Sequence, residues 1–120
     1  MLAVGKQVMT DMDDLPVRMS TGFSGGVGGT ERDLCGALSA GIMIIGALHG
    51  RTSPDEDDSL CQGLASAYRD QFAHALGSVT CGELRSRGYG SEGVEPCSTL
   101  VGRAAGILFD VLTTTRTPNK

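Results

Sequence analysis

Apolar residues recur every three or four positions through most of the chain, a spacing that predicts helices. The predicted apolar stripes are Leu34, Leu38, Ile42, Ile45 and Leu48; then Leu60, Leu64, Tyr68, Phe72 and Leu76; and last Leu100, Ala104, Leu108, Val111 and Leu112. No segment alternates apolar and polar residues as a half-buried strand would. The pattern therefore predicts an all-α fold, a small bundle of about four to five helices with a glycine-rich loop.

Capping residues and glycines mark where the predicted helices begin and end. The predicted starts are Pro16 in the first turn of a short helix, Thr30 with Asp33 three residues later, Ser53 with Pro54 and Glu56, and Thr80 with Glu83. The predicted ends are Gly22, Gly50 in a left-handed conformation, and Gly77. Residues 86–96 are predicted to form a loop. Residues 1–120 are expected to be a single domain, loosely ordered at 1–12 and 114–120.

The segment Gly22–Gly29 cannot be a helix, because five of its eight residues are glycine. A dinucleotide-binding loop would follow a strand, and a P-loop would continue as Gly-Lys-Ser/Thr, whereas Thr30-Glu31-Arg32 follows here. The expected role is a tight turn that lets helices approach closely or that passes beside a cofactor. Gly25, Gly26 and Gly36 are the candidates for such cofactor contacts.

The composition indicates a core of small aliphatic side chains. Glycine accounts for 18 of the 120 residues, and the only aromatic residues are two tyrosines and three phenylalanines. A chain of this size buries only about two-thirds of its unfolded surface, so a partner would add stability. Gly36, Ala40 and Gly46 lie on one predicted helix, where they favour close packing against a neighbouring helix, a second copy or a buried ligand. We therefore expect a homodimer.

The formal net charge of −4, with scattered basic residues, disfavours nucleic acid and anionic lipid as partners. The longest apolar stretch, Ile42–Leu48, is far shorter than a membrane span, which needs about 18 residues or more. The first residues lack the pattern of a secretory signal, so the expected location is the cytoplasm. In that reducing compartment, cysteines indicate metal binding, redox activity or burial rather than a disulfide framework.

The four cysteines, Cys35, Cys61, Cys81 and Cys97, include no Cys-x-x-Cys pair. Cys35, Cys81 and Cys97 fall near predicted helix N-termini, where the partial positive charge of the helix stabilises thiolates. Cys61 falls in the middle of a helix and is expected to be a core residue. The histidines, His49 and His74, are expected to be structural. No acid–base pair or nucleophile–histidine spacing indicates a defined enzymatic reaction.

The segment Cys35-Gly-Ala-Leu-Ser-Ala-Gly41, preceded by the glycine loop, resembles the hallmark of the C_GCAxxG_C_C family of proteins described as redox-active. The similarity continues through Gly50-Arg-Thr52, through Cys81-x-x-Leu84, and to Cys97. It implies a redox or iron–sulfur/metal site with Cys35, Cys81 and Cys97 as catalytic or metal-ligating residues. Some members are similar to the non-haem part of split-Soret cytochromes. A covalent haem is not expected, because the chain has no Cys-x-x-Cys-His.

The family pattern has its first cysteine in a helix ahead of the glycine loop, and this chain has none before Cys35. The cofactor that the resemblance implies is an iron–sulfur cluster or another metal. Because this chain lacks the first cysteine of the pattern, we expect the site to be empty. Cys81 and Cys97 should then form a disulfide or a close pair of thiols in air, and Cys35 should lie near both. The competing interpretation is a non-catalytic helical interaction module with buried, inert thiols. The sequence does not identify the redox partner.

Overall fold

The structure is a computed structural model that describes residues 14–89 and 97–115. Five helices occupy these residues: α1 (Asp14–Ser20), α2 (Gly36–His49), α3 (Ser59–Leu76), α4 (Cys81–Ser86) and α5 (Cys97–Thr115). A 3-10 turn, Thr21–Phe23, continues α1. The described residues contain no strand, so the all-α prediction is confirmed. The predictions for residues 1–12, 90–96 and 116–120 lie outside the described residues.

The long helices α2, α3 and α5 pack against one another around a single core. All five residues of the predicted last stripe are buried on α5. The α3 stripe is also confirmed, except that Leu60 is exposed at the start of the helix. Leu34, predicted to begin the first stripe, lies ahead of α2 and is exposed. None of the helices within residues 14–89 and 97–115 has both the length and the apolar character needed to cross a bilayer.

The predicted helix start at Thr30 is wrong: α2 begins at Gly36, with Cys35 as its N-cap. The backbone of Glu31 has a φ of +64°, which a right-handed helix cannot contain. The hydroxyl of Thr30 donates to the carbonyl of Gly26 at 2.9 Å and so helps to close the glycine loop instead of capping a helix. Leu34 instead pairs with Thr80 in an isolated antiparallel bridge ahead of α2.

The predicted helix start at Ser53 is also wrong, because α3 begins at Ser59. The Glu56 carboxylate turns back to accept the N–H groups of Thr52 (2.7 Å) and Ser53 (3.1 Å), which closes a loop. These hydrogen bonds, with one from the Thr52 hydroxyl, lower the pKa of Glu56 below its ordinary value. Gly50 is extended at φ −72° and ψ 165°, so its predicted left-handed conformation is wrong.

Two further boundary predictions are confirmed. Gly77 ends α3 in the left-handed region, with a φ of +93°. Thr80 is the N-cap of α4, which begins at Cys81. The Thr80 hydroxyl donates to the Glu83 carboxylate at 2.8 Å rather than accepting a backbone N–H, so the two capping residues contact each other through their side chains.

Candidate functional site

Cys35 and Cys81 are held by a single antiparallel bridge between the segments that precede α2 and α4. The Cys35 N–H donates to the Val79 carbonyl at 2.8 Å, and the Cys81 N–H donates to the Asp33 carbonyl at 3.0 Å. Both cysteines therefore have backbone positions defined by the same pairing. One is the N-cap of a 14-residue helix, and the other is the first residue of α4. A bridge this short has no alternating pattern, so the sequence did not predict it.

The glycine loop packs on Cys81 in a left-handed turn. Residues 25–29 all have φ between +62° and +74°, a conformation that glycine adopts without steric cost. A Cβ on Gly26 would lie 2.7 Å from Cβ of Cys81, so only glycine allows this contact. Val27 has a φ of +68°, which costs about 1–2 kcal/mol in a residue with a Cβ. Strain of this kind tends to cluster at functional sites.

The glycines of the Cys-Gly-Ala-x-x-Gly segment are explained by close contacts within the chain. A Cβ on Gly36 would lie 3.1 Å from the carbonyl oxygen of Phe23, so α2 starts directly against the 3-10 turn. A Cβ on Gly41 would lie 2.6 Å from Cζ of Tyr68, so α3 packs onto α2 at this position. Gly46, in contrast, has no atom within 4 Å of an added Cβ. Of the three glycines inside α2, Gly41 is thus required by intramolecular packing, and Gly36 makes a tight contact.

Tyr68 is a site residue that the sequence pattern did not distinguish from the core. Its ring is 1% exposed and meets Phe72 edge to face, with ring centroids 6.0 Å apart. Its hydroxyl donates to the Ala37 carbonyl at 3.2 Å. Burial, and to a smaller extent negative charge on Cys35, raise the pKa of Tyr68, so its hydroxyl stays neutral. Its four-residue spacing from Leu64 and Phe72 is that of a core position.

A cavity of about 490 Å³ lies between the glycine loop, α2, α4 and α5. Cys35 and Cys81 both line it, and the ring of Tyr68 forms part of its wall. Most of the remaining lining is apolar: Ala37, Ala40, Gly41, Ile44, Leu84, Leu100, Val101, Ala104, Ala105 and Leu108. The cavity therefore combines two thiol side chains with a largely apolar wall.

The candidate glycines and the remaining cysteines differ in their position relative to this cavity. Gly25 and Gly36 line it, and Gly26 is buried against Cys81. Cys97 is the first residue of α5, but its side chain lies outside the description, so convergence of three cysteines stays a prediction. Cys61, predicted to lie in the middle of a helix, is in the first turn of α3, because that helix begins at Ser59; its free thiol is half-buried and does not line the cavity.

The described residues do not by themselves fit a metal centre. Among the side chains that the structure describes, which do not include that of Cys97, no three of His, Cys, Asp or Glu form a group that could hold a metal ion. The cavity has the side chains of Cys35 and Cys81, whereas iron–sulfur clusters commonly take four thiolates. Cys81 is a free thiol, and its predicted pairing with Cys97 remains untested.

Comparison with known proteins gives one match. The model of the family described as "Putative redox-active protein (C_GCAxxG_C_C)" matches residues 1–111. No curated protein and no solved structure shows significant similarity to the chain.

Proposed function

The chain belongs to the C_GCAxxG_C_C family, whose description names a redox activity, and we propose that it exchanges electrons through Cys35, Cys81 and Cys97. The supporting observation is that Cys35 and Cys81 line one cavity and are joined by one backbone bridge. Two thiols that form a disulfide release two electrons and two protons to an oxidant such as a small-molecule disulfide. The proposed activity is therefore reversible thiol–disulfide chemistry.

Cys35 is the proposed reactive thiolate. It precedes the 14-residue helix α2, whose N-terminal partial positive charge favours a thiolate over a thiol. Cys81 or Cys97 would then be the second sulfur. Position 97 lies one helical turn before Leu100 and Val101, which line the cavity, so helix periodicity makes Cys97 a reasonable third participant.

Metal or iron–sulfur binding would be a more specific form of this function. Cys35, Cys81 and Cys97 would supply three thiolates, and a four-thiolate centre would need one further ligand. A bound cluster would supply one-electron transfer.

The proposed location is the cytoplasm, where thiols are kept reduced. The redox partner is not identified.

Single substitutions of the four cysteines by serine test the redox proposal. We expect the unmodified protein in glutathione buffers to lose two thiols reversibly, and Cys35→Ser to abolish this loss. A loss retained in Cys35→Ser but abolished by both Cys81→Ser and Cys97→Ser would identify Cys81 and Cys97 as the pair instead. Cys61→Ser is the matched control and should behave as the unmodified protein, because Cys61 is outside the cavity. The measurement is the alkylated mass after quenching at a series of redox potentials. Four thiols that react only after denaturation would support the non-catalytic interaction module instead.

A homodimer is the proposed assembly. Leu15, Met19 and Phe23 are exposed by 58%, 62% and 40%, and they lie within nine residues of the chain. We expect light scattering at tens of micromolar protein, roughly 10–100 µM, to give twice the mass of the chain. A monomer mass throughout that range would contradict the proposal.

A further inference from the structure

The cavity beside the cysteines exists because small side chains face it from two helices. On α2 these are Ala37, Ala40 and Gly41, and on α5 they are Ala104 and Ala105. Larger aliphatic residues at the four alanine positions would occupy part of this space. The volume of about 490 Å³ is far more than one water molecule needs and lies within the range of small-molecule sites.

The positive charge around the cavity is compensated. Among the described residues that line it, Arg85 is the only one with a basic side chain, and the Cys35 thiolate proposed above would add a negative charge. Its Nε lies 3.7 Å from a carboxylate oxygen of Glu31, so the guanidinium already faces an opposite charge. Tyr68 adds no charge, because its hydroxyl stays neutral. An anionic ligand would lose its hydration without gaining an uncompensated positive charge, whereas an uncharged ligand has little hydration to lose.

Both exposed and buried residues line the cavity. Ser20, Thr21 and Ser24 line it from α1 and the turn that follows it, and Thr21 and Ser24 are exposed. The lining also includes the fully buried side chains of Ile44 and Leu108. This combination suits a molecule with an apolar body against the buried side chains and a polar group near the exposed hydroxyls.

We propose that this cavity binds an uncharged, mainly apolar small molecule beside the thiols of Cys35 and Cys81. The binding site follows from the volume, the apolar wall and the compensated charge. That the bound molecule is also the substrate of the thiols rests on the proposed redox function. The two parts can fail separately, because binding does not require electron transfer.

Binding of N-phenylnaphthylamine, an uncharged fluorescent probe, to the full chain tests the site. We expect saturable binding, and binding at least about tenfold weaker for the sulfonate derivative of the same probe. Ala40→Leu and Ala105→Leu should each weaken binding by about tenfold or more, since leucine would occupy the cavity. Ala65→Leu on α3 is the matched control: this alanine is half-buried but does not line the cavity, and its variant should bind like the unmodified chain.

Protection from alkylation provides a second readout. The bound probe should slow the reaction of Cys35 with N-ethylmaleimide by at least about fivefold at saturation and leave Cys61 unaffected. No saturable binding, equal binding of the sulfonate, or equal loss in the Ala40 and Ala65 variants would overturn the inference. Reactive thiols without probe binding would leave the redox proposal standing alone. Probe binding by a protein whose thiols show no redox activity would leave the binding site standing and contradict the proposed redox function.

Discussion

Gly41→Ala is expected to lower the free energy of unfolding by about 2 kcal/mol, although alanine is the better helix former. The added Cβ would lie 2.6 Å from Cζ of Tyr68. That ring cannot move away easily, because it is fully buried, packs on Phe72 and is hydrogen-bonded to Ala37. The overpacking cost should therefore exceed the gain of about 1 kcal/mol from helix propensity.

Gly46→Ala is the matched control for this prediction. It is the same change on the same helix, and nothing lies within 4 Å of the added Cβ. We expect it to stabilise the protein by about 0.5–1 kcal/mol. Urea unfolding of both variants measures the two free energies. Stabilisation by both alanines would mean that Tyr68 does not pack on Gly41.

A double substitution identifies the cause of the loss. Tyr68→Leu removes the ring that the new Cβ would meet, so Gly41→Ala should cost much less in that background than alone. We expect a coupling free energy of about 1–2 kcal/mol between the two positions. Additive effects would place the cost of Gly41→Ala elsewhere in the helix packing.

Gly26→Ala is expected to destabilise the protein by about 2–4 kcal/mol and to expose Cys81 to alkylation. Gly26 has a φ of +71°, and an added Cβ would lie 2.7 Å from Cβ of Cys81 and 3.1 Å from the Asp33 carbonyl oxygen. The variant must therefore bear both a left-handed alanine and a steric conflict. Lifting the loop off Cys81 is the simplest relief of that conflict.

Gly28→Ala separates these two contributions. Its φ of +62° is equally left-handed, but an added Cβ meets nothing within 4 Å. We expect a loss of about 1–2 kcal/mol from the backbone alone, with no change in the alkylation rate of Cys81. The measurements are urea unfolding and the rate of modification by N-ethylmaleimide in native protein. Equal rates for Cys81 in the two variants would contradict a loop packed on this thiol.

The helical core of this protein was predictable from the sequence, because helix burial is a local periodic property. The stripe Leu100–Leu112 is buried on α5, and Leu64, Phe72 and Leu76 are buried on α3, as their three- and four-residue spacing predicts. Gly77 was predictable for the same reason, since a left-handed residue ends a helix through hydrogen bonds within one turn.

The helix starts at Thr30 and Ser53 were mispredicted because capping residues have more than one use. Thr30 hydrogen-bonds within the glycine loop, and Glu56 closes a separate loop on Thr52 and Ser53. Each side chain makes the type of local hydrogen bond expected of it, but with a different backbone partner. The sequence alone does not determine which backbone group lies nearest to each of these side chains.

The amino-acid sequence by itself determined the all-α class, the long helices, and the Cys-Gly-Ala-x-x-Gly segment that marks the family. Only the tertiary structure decided that Cys35 and Cys81 share a bridge and a cavity, and that Tyr68 packs on Gly41. The physical reason is distance along the chain. Helix formation depends on neighbours within about four residues, whereas these contacts join segments far apart in sequence and form only when the helices pack.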